Sequence, residues 1–172
     1  MHSTPVKKDL ISPEFAATIF FTIFAVLFLL FTKYSLLPLG MSANIPAVSS
    51  FLVALLTAAF LGKVFAKSLS EPYHWIRIFL TGVFMAMLAI VISSLVFFIR
   101  AWFYEAALFQ LARHWQDYFI LFGLRVAMTA SIIGVWLGLL TGIAALYFNK
   151  HFYPRLKAFE NTLPQSKNTP DE

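Results

Sequence analysis

The chain has 172 residues, 60% of them apolar and 12% charged, with 20 phenylalanines, no cysteine and a net charge of +5. Soluble domains carry roughly 45–50% apolar and about 25% charged residues, so most of this surface meets a bilayer rather than water. Without cysteine, disulfides, thiolate metal sites and cysteine nucleophiles are excluded.

The first apolar span, 15–32, is eighteen uncharged residues, long enough at about 1.5 Å per residue to cross most of a roughly 30 Å hydrocarbon core. Ser12 is its expected cap, with Pro13 and Glu14 in the first turn, where a missing N–H costs nothing and a negative charge suits the dipole. A cleaved signal peptide is the competing reading. The run is long and Phe-rich, and Met41 stands where a small residue should precede the cleavage point, so span one is expected to be retained. The second span, 45–61, follows a loop with Pro38, Gly40 and Asn44, and Lys63 and Lys67 close it. The third, 78–99, lies between Arg77 and Arg100; Ser70, Glu71 and Pro72 are its expected helix start in water, with Tyr73 and Trp75 at headgroup depth. The fourth, 126–148, lies between Arg125 and the polar run Asn149, Lys150, His151.

The segment 100–118 has no glycine or proline and too many charges to span. Tyr104, Leu108, Leu111, Trp115 and Tyr118 share one helical sector, which predicts an interfacial helix with Leu108, Leu111 and Trp115 buried and Glu105, Arg113 and Asp117 wet. From 154 to 172 the chain is polar and proline-bearing, and a disordered tail is expected. The fold class is therefore all-α. It is a polytopic membrane protein with one membrane domain over 1–153, a four-transmembrane-helix bundle with an amphipathic interfacial helix between helices three and four.

Orientation follows from the lysines and arginines, because basic loops resist translocation. Lys7, Lys8, Lys63, Lys67, Arg77, Lys150, Arg155, Lys157 and Lys167 fall on one side, nine against the four of Lys33, Arg100, Arg113 and Arg125. Both termini are expected in the cytoplasm, at a bacterial inner membrane. The same asymmetry accounts for the net charge, so nucleic acid is not an expected partner.

Helices associate in lipid through close backbone approach, which makes small residues at four-residue spacing the packing signal. Ala130, Gly134, Gly138 and Gly142 form such a face on span four, and Ser50, Ala54, Ala58 and Gly62 form one on span two that could answer it. Gly82, Ala86 and Ala89 give a partial stripe on span three. Intramolecular packing is the plain use of these faces; a homodimer interface or a sliding contact is the functional one.

Groups able to do chemistry gather in an expected outer-face cluster of Glu105, Arg113, His114, Asp117 and Arg125. His114 and Asp117 are spaced for two metal ligands, but a stable site needs three or four. His114 lacks an accompanying nucleophile, and Arg125 can snorkel from the end of span four. No phosphate loop, zinc-type histidine pair or GxSxG is present, and no cofactor is expected.

The expected function is that of a noncatalytic subunit, accessory or partner-binding component of a larger membrane assembly, with membrane lipids and another membrane protein, or a second copy, as partners. Two other classes compete: a small oligomeric channel or transporter lined by hydroxyls of spans three and four, and a membrane enzyme acting on a lipid or apolar substrate at the outer face.

Overall fold

The computed structural model describes residues 12–35, 47–104 and 114–162, and among these every regular element is helical. α1 is Pro13–Ser35, α2 Ala47–Ser70 and α3 Trp75–Tyr104. The fourth stretch is α4 (Trp115–Thr129), a π-helical turn over Ala130–Gly134, α5 (Val135–Tyr147), a second π-helical turn over Phe148–Phe152, and α6 (Tyr153–Thr162). Four helical stretches are long and apolar enough to cross a membrane: Pro13–Thr32, Phe51–Ser70, Trp75–Phe103 and Trp115–Glu160. That is the make-up of an integral membrane protein.

Helix ends separate into those that follow the sequence signals and those that do not. Ser12 caps α1 as expected, its Oγ accepting the Phe15 N–H at 3.2 Å. Ser70, by contrast, finishes α2 rather than starting α3, its hydroxyl donating to the Lys67 carbonyl, and α3 opens at Trp75 behind His74. Lys63 and Lys67 therefore ride on the last turns of α2, where cations suit the negative end of the dipole. The fourth helix also outruns its apolar core at both ends. Residues 154–162 belong to α6, where the sequence suggests the beginning of a disordered tail; 163–172 lie outside the described residues.

The expected interfacial helix is not a separate element among the described residues. Arg100–Tyr104 complete α3 and Trp115–Tyr118 open α4, while 105–113 lie outside the described residues. The two described ends face each other: the Trp102 and Tyr118 rings stack at 4.9 Å, and one turn inward Phe98 and Phe122 meet edge-to-face at 5.6 Å. Trp115, expected at the membrane boundary, has 70% of its surface uncovered by the other helices.

α1 packs along α2, and α3 packs along α4 and α5, so consecutive helices make antiparallel pairs. α2 also meets α3. The core lies toward the Pro13 end of α1, the Ser70 end of α2, the Trp75 end of α3 and the Phe148 end of the fourth stretch. There Ala17, Leu69, Ile78, Ala145 and Phe148 have no exposed surface. Phe20 of α1 sits 5.3 Å from the Phe148 ring and 5.0 Å from Phe152, tying the first helix to the last.

Candidate functional site

Lys63, Lys67, Arg77, Lys150, Arg155 and Lys157 all belong to this same end of the helices, which we call the basic end. Its polar centre is Asn149, in the second π-helical turn. The last carbonyls of any helix lack intrahelical partners, and α2 ends in a short connection to α3 that supplies few of its own. Asn149 provides them from some 80 positions along the chain: its Nδ2 donates to the Leu69 carbonyl at 2.7 Å and to the Glu71 carbonyl at 2.9 Å. With the carbonyl of Leu69 satisfied, α2 can remain helical to Ser70, which explains why Ser70 does not open the next helix. Sequence reasoning marks Asn149 only as the end of span four; the available signal is an amide-bearing residue set beside aromatic neighbours, Tyr147, Phe148 and Phe152.

Beside this clasp, Tyr73 connects the loop to α3. The Glu71 carboxylate hydrogen-bonds to the Tyr73 hydroxyl and holds its pKa above the ordinary value of 10.0, with Arg77 pulling the other way. The Arg77 guanidinium lies over the Tyr73 ring, 3.7 Å from its centre, a cation–π arrangement that fixes the side chain at the start of α3. Next to Arg77 an open groove of about 610 Å³ runs between α2 and α3, lined by Phe65, Ser68, His74, Ile76, Arg77, Leu80, Thr81 and Phe84. Phe65 and Phe84 meet edge-to-face at 6.0 Å along it.

No protein-family model, curated protein or solved structure matches the chain. Site assignment therefore rests on geometry.

The small-residue faces are placed differently from one another. A Cβ built on Gly62 would stand 2.9 Å from the Ala17 carbonyl oxygen, so this end of the α2 stripe closes on α1 rather than on the fourth helix. Ala54 and Ala58 are half-buried, and Ser50 lies in the first turn of α2. The fourth-helix stripe faces α3. A Cβ on Gly142 would meet the Phe79 ring at 2.6 Å, one on Gly138 the Val83 Cγ1 at 3.7 Å, and one on Gly134 the Ile90 Cδ1 at 3.4 Å and the Ala130 Cβ at 3.5 Å. The closest approach of backbone to backbone belongs to Gly82 of α3. A Cβ there would lie 2.6 Å from the Thr141 carbonyl oxygen and 2.8 Å from the Gly142 Cα, so the two backbones touch. The spacing rule underrates Gly82, because one glycine suffices where two helices cross.

The outer-face cluster divides. Glu105 and Arg113 lie outside the described residues. The Asp117 carboxylate accepts the His114 backbone N–H at 2.9 Å and the Asp117 N–H donates to the His114 carbonyl at 3.0 Å, so the pair's spacing serves the start of α4. Arg125 is exposed on α4, and its carbonyl accepts the Thr129 hydroxyl. Among the described residues no three His, Asp or Glu gather as metal ligands.

The hydroxyls considered as channel lining bond within their own helices: Thr81 to the Arg77 carbonyl, Thr129 to Arg125 and Ser131 to Ala127. Thr129 and Ser131 sit where α4 passes into its π-helical turn, consistent with back-bonding hydroxyls disturbing helix geometry.

Proposed function

We propose that this is a noncatalytic multispanning inner-membrane protein, with both termini in the cytoplasm, that works as a subunit, accessory or partner-binding component of a larger membrane assembly. The observation carrying the reading is the separation of exposed aromatics at the two ends of the fourth helical stretch. Phe119 and Phe159 are both exposed, at 69% and 63%. They stand about 60 Å apart along the helix at 1.5 Å per residue, against a hydrocarbon core of roughly 30 Å. Tilting by about 40°, the upper end of the usual range, still leaves about 46 Å along the membrane normal. Lipid tails therefore cover only part of this surface, and exposed aromatics beyond the tails are suited to contact with protein.

The cytoplasmic placement of the termini rests on the nine-to-four distribution of basic residues. Native mass measurement in mild detergent, with co-purifying proteins identified, tests the assembly. A specific heteromeric partner lost on Phe159→Ser or Phe119→Ser supports the reading, and a monomer or a homo-oligomer alone contradicts it. For orientation, a reporter active only in the periplasm should be silent when fused after Glu172; a signal would reverse the topology.

A further inference from the structure

We propose that the groove between α2 and α3 binds one anionic phospholipid, its phosphate held by Arg77, His74 and Ser68 and an acyl chain lying along Phe65, Leu80 and Phe84. The proposal requires only that the basic end lie at a membrane boundary, and it holds whether or not the chain joins a larger assembly.

Three features of the groove suit that ligand together. Its volume of about 610 Å³ is open along the helix faces, the form in which a lipid can enter sideways from the bilayer. Its lining changes character along α3. Arg77 and His74 stand at the helix start, while Leu80 and Phe84, one and two turns further on, are 57% and 55% exposed and belong at acyl-chain depth. The chemistry thus passes from cationic to apolar in the direction in which a phospholipid passes from headgroup to tail.

Arg77 is held ready for a phosphate. Tyr73 engages the face of the guanidinium with its ring and accepts one N–H at its hydroxyl, and phosphate is read by the N–H groups that remain along the edge, so the contacts are compatible. The side chain is positioned before any ligand arrives, which lowers the ordering cost of binding. The first amides of α3 add a favourable dipole, since the first intrahelical donors after His74 are Arg77 and Ile78. A soluble phosphate would satisfy Arg77 and leave the Phe65 and Phe84 rings uncovered. A phospholipid answers both parts of the groove.

The test uses the full chain in mild detergent supplied with equal phosphatidylglycerol and phosphatidylcholine, with bound lipid counted by native mass spectrometry through stepwise delipidation. The wild-type chain should retain one phosphatidylglycerol after other lipid is lost. Arg77→Gln should lower that retention about tenfold, the scale of one charge-assisted contact, and abolish the preference over phosphatidylcholine. Leu80→Trp, which fills the groove at an exposed position and keeps every charge, should lower retention of both lipids and remains informative if Arg77→Gln fails to fold. Equal retention by wild type and the folded variants overturns the proposal. So does full displacement of the lipid by millimolar inorganic phosphate, which would identify a site for the free anion.

Discussion

At the basic end Leu69, Ile78 and Phe148 have no exposed surface, Gly62 and Gly82 let neighbouring backbones touch, and Asn149 bridges two carbonyls 80 and 78 positions away. At the opposite end α4 buries none of its residues from Trp115 to Thr129, and it meets α3 through ring pairs such as Trp102 with Tyr118. The same four helices are thus joined in two ways. Backbone contact and half-buried hydrogen bonds set the geometry at one end, while at the other large side chains meet across a looser seam. In lipid, where hydrophobicity does not drive helices together, the first kind of contact determines the arrangement. The second kind can be altered with little effect on the rest.

The largest effect expected from this contrast is at Gly82. Even Gly82→Ala places a methyl against the Thr141 carbonyl and the Gly142 Cα, which are backbone atoms with no rotamer to yield. A loss of about 1–3 kcal/mol is expected for the alanine and more for leucine, read as a fall in folded yield and thermal midpoint in detergent. Asn149→Ala comes next, since in a half-buried setting it takes the side-chain donor from the Leu69 carbonyl and leaves the Glu71 carbonyl with the Tyr73 N–H alone. About 1–3 kcal/mol is expected, with faster hydrogen exchange confined to the last turns of α2.

Gly138→Ala should be far milder than Gly82→Ala, because its new methyl finds Val83 at an ordinary 3.7 Å. A stability within about 0.5 kcal/mol of wild type is expected, read from the thermal midpoint. Trp115→Ala, at a site 70% exposed, should change stability least of all, by less than about 0.5 kcal/mol, with the thermal midpoint nearly unmoved. If Trp115→Ala destabilises the chain as much as Gly82→Ala, the distinction between the two ends fails.

Four helices long and apolar enough to cross a membrane could be read from the sequence because uncharged apolar runs are a direct signal of membrane-spanning length. The Ser12 cap could be read because a hydroxyl before Pro13 and Glu14 has a local use. Helix ends elsewhere were hidden for a physical reason: charge ends a membrane crossing, whereas hydrogen bonding ends a helix. Lys63 and Lys67 stop the hydropathy of span two, yet α2 continues to Ser70. His114 and Asp117, suggestive of ligands by spacing, use that spacing at a helix start. Helix pairing was hidden as well. Stripes of similar spacing on α2 and on the fourth helix look complementary, but each closes on its neighbour in sequence, through Ala17 and Gly82. Ala17 belongs to no small-residue stripe and Gly82 only to a partial one, since close approach at a crossing depends on a single position.

The pairing of helices is tested most directly by disulfide trapping in native membranes, which the absence of cysteine makes clean. Val83 and Gly138 face each other across α3 and α5, a Cβ built on Gly138 lying 3.7 Å from the Val83 Cγ1, and a disulfide takes a Cβ separation of about 3.5–4.5 Å. The chain carrying Val83→Cys and Gly138→Cys should cross-link within a monomer under mild oxidation, and the chain carrying Ala58→Cys and Gly138→Cys should not. Cross-linking of the second pair without the first would mean that the small faces of α2 and the fourth helix meet each other, and would contradict the arrangement described above.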